Sequence, residues 1–343
     1  MNVIYASDNG YAWLMGISML SLFENNKECK EINVYLFGDK ISKDNEVKLN
    51  SIADNYGRNF SLIDVNDLEL PEKLYSGRYP KSAFSRIFAY KLLPESIDKV
   101  LYLDCDLIIN GGIEELYDMD FGGNTLMAAM DPVSVLYNKK IGIRNSNIYI
   151  NTGVMLMNLT KMRNNPKIGE MSEFVNRYSK AMDYADQEII NGIYQGEIGY
   201  IPVKFNMMTQ AYQYSYKELM RIRHPHHYYT EKEVEEAKKD PRIFHYTTCM
   251  MDIRPWFANS KLRHASVFDK YWRMSPWADV NKKEMDFSAS KYKIMKFCSI
   301  FPASINQFLL GMLHAYIKPW VSIIDICIGS VCQNGDLDGK NYR

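Results

Sequence analysis

The chain has 343 residues and a mass of 39.9 kDa, 47% hydrophobic and 24% charged, a globular composition that excludes disorder and low complexity as descriptions of the whole. Its formal charge is zero and its pI about 7.0, so bulk electrostatics gives no reason to expect nucleic acid as a partner, and any phosphate must be held locally. Cys29, Cys105, Cys249, Cys298, Cys327 and Cys332 form no C-x-x-C pair or zinc spacing, and "MNVIYASDNG" lacks the basic flank and apolar core of a signal peptide. A reducing cytosol is the expected compartment.

"NVIYA" (2–6) predicts a strand and 11–25 a helix; "INVYLFG" (32–38) predicts a second strand, 42–57 a helix and "FSLIDV" (60–65) a third strand. This alternation suggests parallel βαβ units. A helix over 82–93 follows, then strands at "KVLYL" (99–103) and "TLMAAMD" (125–131) and paired apolar runs in "YINTGVMLMNL" (149–159). Helices are predicted over 166–180 and 186–195, and a late strand at "PRIFHY" (241–246). "EKEVEEAKKD" (231–240) reads as a solvated helix face with opposite charges four apart. "RHPHH" (223–227) reads as a surface loop, its histidines too bunched to share a metal.

Downstream of about Pro276 the pattern changes, giving an expected division into residues 1–275 and a helical appendage, 276–343. From Phe287 to Ile324 there is no acidic residue, while Lys291, Lys293, Lys296 and Lys318 accompany Phe297, Phe301, Phe308 and Trp320. The apolar run 307–331 is broken by His314, Lys318, Pro319 and Asp325, so it offers no clean membrane span. Two readings stand for this segment: a basic, apolar element lying on an anionic membrane surface, or a helical cap packed on the core.

The stretch with most chemistry is "KVLYLDCDLIING" (99–111). If the strand continues through it, Asp104 and Asp106 project to one side and Cys105 to the other. Two carboxylates held close repel unless a positive group lies between them. A calcium loop beginning at Asp104 fails, because its fifth and sixth positions are Ile108 and Ile109. A haloacid dehalogenase-type phosphatase also places D-x-D after an apolar strand, but such motifs usually open their domain and continue with a small β-branched residue, whereas Leu107 follows here. A third reading is a clamp for a metal on a nucleotide-sugar diphosphate.

"YASDNGYA" (5–12) leads from the first strand through a polar turn into a helix. Asp8 is suited to accept a hydrogen bond from a base or ribose and Tyr11 offers a ring for stacking; the plainer reading is a helix cap by Ser7 or Asp8. Neither G-x-G-x-x-G nor G-x-x-x-x-G-K-[ST] occurs, so dinucleotide and P-loop sites are not indicated.

Taken in order, "YASDNGYA", "AFSRIFAY", "VLYLDCDLII", "AAMDP", "YINTGVMLMNL", "ADQEIING", "FNMM" and "HYTTCMMDIRPW" closely resemble the family 8 retaining glycosyltransferases, which include bacterial lipopolysaccharide galactosyl- and glucosyltransferases and the glycogenins. The resemblance covers roughly 1–275 and implies a GT-A fold: one Rossmann-like, mostly parallel sheet flanked by helices in an α/β domain, with the nucleotide site where strands end. It implies Mn²⁺ held by Asp104, Asp106 and His245, a ligand mixture suited to manganese. It implies contacts of Ala6, Asp8, Tyr11, Arg86 and Asp104 with the nucleotide sugar, and sugar-side roles for Asp131, Asn151, Asp186 and Gln187.

The implied activity is transfer of a hexose from UDP-galactose or UDP-glucose to a hydroxyl of a glycan or lipid-linked acceptor, in the cytoplasm or peripherally on the cytoplasmic face of the inner membrane. A glutamine such as Gln187 is a weak nucleophile, which favours front-side departure of UDP over double displacement, with Asp131 and Asp186 as alternative nucleophiles or acceptor ligands. Two departures from the family pattern stand out. Gly10 replaces a common asparagine, so one base or ribose contact is lost or supplied by Asn9. "TTCMMDIRPW" lacks the usual glycine and carries Arg254 where relatives commonly have lysine, an arginine that can still fork onto phosphate. The competing readings are the phosphatase and a non-catalytic module that binds nucleotide sugars or glycans.

Overall fold

The computed structural model describes residues 1–70, 81–144, 148–184, 186–250, 252–286, 293, 297 and 300–324. Its main sheet has seven strands: β1 (Asn2–Asp8), β2 (Asn33–Asp39), β3 (Asn59–Asp64), β4 (Lys99–Leu103), β6 (Leu126–Met130), β7 (Ile150–Asn158) and β8 (Ile198–Tyr200). The order is β3-β2-β1-β4-β7-β6-β8, and only β7 runs against its neighbours. A small second sheet joins β5 (Leu107–Ile109), β10 (Ile243–His245) and β9 (Met207–Met208), in the order β5-β10-β9. The mostly parallel sheet flanked by helices is the predicted α/β architecture.

Sequence pattern explains the layers. β7 is buried on both faces from Ile150 to Met157, as its unbroken apolar run requires for a central strand. Helix α1 (Ala12–Asn25) has almost no polar face and is buried nearly throughout, because it is enclosed by β1, β5, helix α2 (Lys43–Asn55) and the helix Ala265–Met274. α2 lies nearer solvent and has an ordinary start: Ser42 Oγ accepts from the Asn45 amide, with Asp44 and Glu46 in the first turn.

Three expectations change in detail. The helix predicted over 82–93 is broken into Lys81–Ser85, a 3₁₀ turn Arg86–Phe88 and Ala89–Leu92, and the tightened turn carries a buried Arg86. The two runs in 149–159 form one long strand. The third concerns packing near the expected limit at residue 275. Trp277 is buried against α1, where a Cβ at Gly16 would lie 2.4 Å from its indole, and its Nε1 donates to Asn45 Oδ1 at 3.2 Å. Lys282 donates to the Pro255 carbonyl at 2.6 Å. Packing of the first domain thus continues to the residues just before Phe287.

The later helix Ala303–Met312 continues through a π-helical turn, Leu313–Ile317. Its inner face lies on the helix Tyr216–Arg223: Gln307 accepts from Arg221 Nη1 at 3.2 Å and donates to Glu218 Oε1 at 2.9 Å. Gly311 makes this approach close, since a Cβ there would sit 2.5 Å from the Arg221 carbonyl oxygen. One face of this helix is therefore packed on the core. No helix among the described residues is long and apolar enough to cross a membrane. Lys291 and Lys296 lie outside the described residues.

Candidate active site

The aspartate pair is not on a strand. β4 ends at Leu103, and Asp104 to Asp106 form a tight turn before β5 begins at Leu107. Convergence of the two carboxylates comes from this turn and not from strand alternation. Its partners are delivered by register. In the small sheet His245 pairs with Leu107 across β10 and β5, and with Met208 across β10 and β9, which sets the imidazole beside Asp106. In the main sheet Leu103 pairs with Val154, and the Asp104 amide donates to the Gly153 carbonyl at 2.8 Å. One ligand atom from each of Asp104, Asp106 and His245 lies within 4.8 Å of the others.

The surroundings fit a bound cation. Asn206 Nδ2 donates to Asn151 Oδ1 at 2.9 Å, which turns Asn206 Oδ1 toward His245 Nδ1, also 2.9 Å away. Nδ1 then carries the proton and Nε2 faces Asp106 Oδ1 at 3.2 Å and Asp104 Oδ2 at 3.7 Å. That nitrogen can be accommodated in two ways: by a proton, or by a cation shared with the carboxylates. Two carboxylates and an imidazole suit a divalent transition ion. Gly153 keeps the space, because a Cβ there would stand 2.3 Å from His245 Cε1 and 2.7 Å from Asp104 Oδ2. Burial works to raise the Asp106 carboxyl, but His245 and Arg254 outweigh it and hold it down at about 2.

Arg86 is buried and pairs with Asp104. Its Nη2 is 3.0 Å from Asp104 Oδ1, its guanidinium stacks 4.1 Å above the Tyr102 ring, and Nε is 3.2 Å from Asp186 Oδ2 without the alignment of a hydrogen bond. Tyr102 adds a hydrogen bond to Asp104 Oδ1 at 2.7 Å. Burial raises Asp186 to about 6, with Arg86 opposing the rise and Asp104 adding to it.

Two cavities meet at this centre. One, of about 320 Å³, is lined by Ala6, Asp8, Tyr11, Ser82, Arg86, Asp104, Asp106 and Arg254. The other, of about 230 Å³, shares Arg86, Asp104, Asp106 and Arg254 and adds Asp131, Asn151, Asp186, Gln187, His245 and Arg223. Every site residue predicted from the sequence lies on one cavity or the other. Asp8 also caps the turn, accepting from the Tyr11 amide at 3.0 Å, while the Tyr11 ring remains about half exposed at 46%. Asn9 does not line the first cavity, and its Oδ1 accepts from the Ser42 amide and Asn45 Nδ2. Arg254 reaches Asp106 Oδ2 at 3.5 Å and donates to Thr248 Oγ1 at 3.0 Å; its loop turns at Met250 with φ +50°, a conformation glycine adopts more easily.

In the second cavity Gln187 is held on all sides. Its Oε1 accepts from Asn151 Nδ2 at 3.1 Å and the Thr152 amide at 3.2 Å, and its Nε2 donates to Asp131 Oδ2 at 3.3 Å and the Tyr149 hydroxyl at 3.2 Å. Sequence reasoning missed Gly153 and Asn206, although both stood inside quoted motifs, and it misplaced Arg223. That arginine ends a helix whose capping box, Ser215 with Glu218, was a readable start signal, and it points inward to Asp131 instead of out from a loop.

Residues 2–260 match the family model described as glycosyl transferase family 8. The chain belongs to glycosyl transferase family 8. A lipopolysaccharide 1,2-glucosyltransferase of Escherichia coli is 23% identical over 322 residues, 86% of this chain and 91% of the relative. A putative glycosyltransferase of Haemophilus influenzae is 29% identical over 211 residues; the match covers 60% of this chain and 63% of the relative. The crystal structure of the galactosyltransferase LgtC, with donor and acceptor sugar analogs, superposes with a TM-score of 0.67 at 26% identity, over 80% of this chain and 96% of that one. Family membership and this GT-A neighbour set aside the phosphatase alternative.

Two outcomes test this geometry. Gly153→Ala should weaken Mn²⁺ binding, read by calorimetry, by about tenfold or more, the scale of lost ligand orientation; unchanged affinity would show that the cradle is not needed. Asp186 has a folded pKa near 6 against an ordinary 3.8, so its contribution to stability is complete at low pH and is lost as pH rises through that interval. In metal-free protein, Asp186→Asn should therefore gain in unfolding midpoint relative to the parent between pH 4 and 6, and a constant gap across that range would contradict the shift.

Proposed function

We propose that this family 8 enzyme is a metal-dependent retaining hexosyltransferase that moves glucose or galactose from a UDP-sugar to a hydroxyl of a glycan or lipid-linked acceptor. The observation that carries this reading is the junction of the two cavities at Asp104, Asp106 and His245. A nucleotide sugar laid with its base near Asp8 and Tyr11 and its sugar near Asp131 and Gln187 has its diphosphate at that junction. The E. coli glucosyltransferase and the galactosyltransferase LgtC support a hexose as the transferred group.

Asp104, Asp106 and His245 would hold Mn²⁺, which when bound supplies positive charge to a leaving diphosphate. Arg86 and Arg254 flank the same position and add fixed guanidinium charge where negative charge develops. Tyr11 offers its exposed ring to the base, and Ala6 contributes backbone at the end of β1. On the sugar side Asp131, Asn151 and Gln187 form one hydrogen-bonded surface. The Gln187 carbonyl already accepts two N–H groups, which favours a positioning role and front-side departure over attack by this residue. Asp186, tied to Arg86, orients the arginine. We place the enzyme in the cytoplasm; the described cysteines, Cys29, Cys105 and Cys249, are buried free thiols.

The outer face of the C-terminal helix supports peripheral membrane contact. Ile305, Phe308, Leu309, Leu313, Ile317, Trp320 and Val321 fall on one helical face at i, i+3, i+4 spacing and are 43% to 57% exposed, an apolar stripe of the kind that enters a lipid interface. The acceptor of such an enzyme would then be presented at the same surface.

With Mn²⁺ present, UDP should raise the melting temperature, and UDP should be released from UDP-glucose or UDP-galactose; Asp106→Ala should lose both effects. Absence of a manganese-dependent UDP shift in the parent would sink the proposal. For the membrane contact, replacing Phe308, Leu313 and Trp320 together by serine should reduce sedimentation with anionic phospholipid vesicles without lowering the melting temperature. Equal sedimentation of parent and variant would remove the stripe as an attachment site.

A further inference from the structure

Arg223 and the C-terminal helix meet at the wall of the sugar-side cavity, and neither is assigned a part in the reaction above. Arg223, its side chain 10% exposed, lies at the end of the helix Tyr216–Arg223, where His224 turns the chain with φ +46°. Its three donor groups diverge to three partners on two segments. Nε donates to the Pro132 carbonyl at 3.1 Å, Nη2 reaches Asp131 Oδ1 at 3.2 Å, and Nη1 is 2.9 Å from His314 Nε2. Arginine has no acceptor, so His314 must accept through Nε2. Burial, with Arg223 and Lys318 nearby, pushes the His314 imidazole down to about 3, which suits a neutral acceptor.

The other oxygen of Asp131 faces the amides: Oδ2 is 3.3 Å from Gln187 Nε2 and 3.4 Å from Asn151 Nδ2. Arg223 therefore completes a two-sided grip on the carboxylate, with the fixed fork of a guanidinium on one side. The same C-terminal helix is also tied to the segment that leads into the helix carrying Asp186 and Gln187. Lys318 Nζ is 2.8 Å from Asp183 Oδ1, whose second oxygen is 2.6 Å from the buried Lys140. Lys140 also reaches Glu188 at 3.3 Å, within the helix that carries Asp186 and Gln187. Ser134 Oγ donates to the Ala315 carbonyl at 2.5 Å. These C-terminal contacts come from residues beyond 260, where the family match ends.

We propose that Arg223 is a positioning residue for Asp131, and that His314 and Lys318 make the C-terminal helix a structural brace for the sugar-side cavity. The inference rests on the transferase reading in taking the hydroxyl that Asp131 meets as one of donor or acceptor sugar. A brace of this kind gives the sequence beyond the family domain a share in the site: it fixes the acceptor lone pairs of Asp131 before any hydroxyl arrives, so less ordering remains for the reaction to accomplish.

The test compares the parent with Arg223→Gln, Arg223→Lys, His314→Leu and His314→Gln, all as full chains. For Arg223→Gln, kcat for UDP release from UDP-glucose or UDP-galactose should fall about thirtyfold, while the Kd of UDP with Mn²⁺ stays within about twofold of the parent. Arg223→Lys should recover only part of the loss, since an ammonium cannot serve three directions as a planar fork does. His314→Leu should lose about fivefold and His314→Gln, which keeps an acceptor, should stay within about twofold. Unchanged kcat in Arg223→Gln, or parallel loss of UDP binding and thermal stability, would overturn the inference. A crystal structure of Arg223→Gln supplies a readout that needs no turnover: Asp131 should leave Gln187 and Asn151, and an unmoved Asp131 would overturn the positioning role. A parent that releases no UDP from either donor would count against the hexosyltransferase reading alone, because the crystallographic arm still decides the role of Arg223.

Discussion

Two carboxylates and an imidazole nitrogen cannot be held within a few ångströms of each other unless positive charge is supplied among them. At Asp104, Asp106 and His245 the protein supplies part of that charge permanently, through Arg86 on one carboxylate and Arg254 on the other. The shared space between Asp104, Asp106 and His245 suits a cation. Much of the surrounding architecture follows from this requirement. β7 contributes a glycine where any side chain would fill the space, β9 is preceded by the asparagine that sets the histidine tautomer, and the small sheet exists to lay His245 beside the turn after β4.

The same centre divides the open end of the sheet into two cavities of different character. On the side of β1 the walls are a turn, an exposed aromatic ring and small residues. On the side of β6 and β7 they are a closed network of Asp131, Asn151 and Gln187 in which nearly every polar atom already has a partner. A pre-satisfied network of this kind is rigid, which suits recognition of a sugar whose hydroxyls must be told apart. Rigidity there is maintained partly from outside, by a C-terminal helix whose inner face carries polar ties and whose outer face is apolar. The inner face of that helix meets the sugar-side wall through His314 and Arg223.

Elements with a local cause were legible. Strands β1, β2 and β4 and helices α1 and α2 agree with their hydrophobic periods to within a residue or two, since the alternation of βα units is written in side-chain spacing alone. The order of short motifs was enough to expect the family, and each residue named from it lies on one of the two cavities. What local pattern could not convey were contacts made by partners far apart in the chain. Arg86 reads as one residue of a continuous helix until that helix breaks around it; Arg223 reads as part of a polar loop until the last turn of its helix points it at Asp131; Lys140, in an ordinary "YNKK", is almost wholly buried between Asp183 and Glu188.

The aspartates themselves mark the boundary between these two kinds of information. The sequence by itself determined that two carboxylates follow a buried strand, that the chain alternates strands and helices, and that a basic, apolar segment lies near its end, because each of these depends on composition over a few neighbouring residues. Only the tertiary structure decided that the pair sits in a turn, that Asn206 lies beside His245, that Gly153 keeps their meeting place open, and that the later helix packs on the helix Tyr216–Arg223. Those outcomes depend on strand register and on contacts between residues tens to hundreds of positions apart, and register is a property of the assembled sheet that no single stretch of the chain contains.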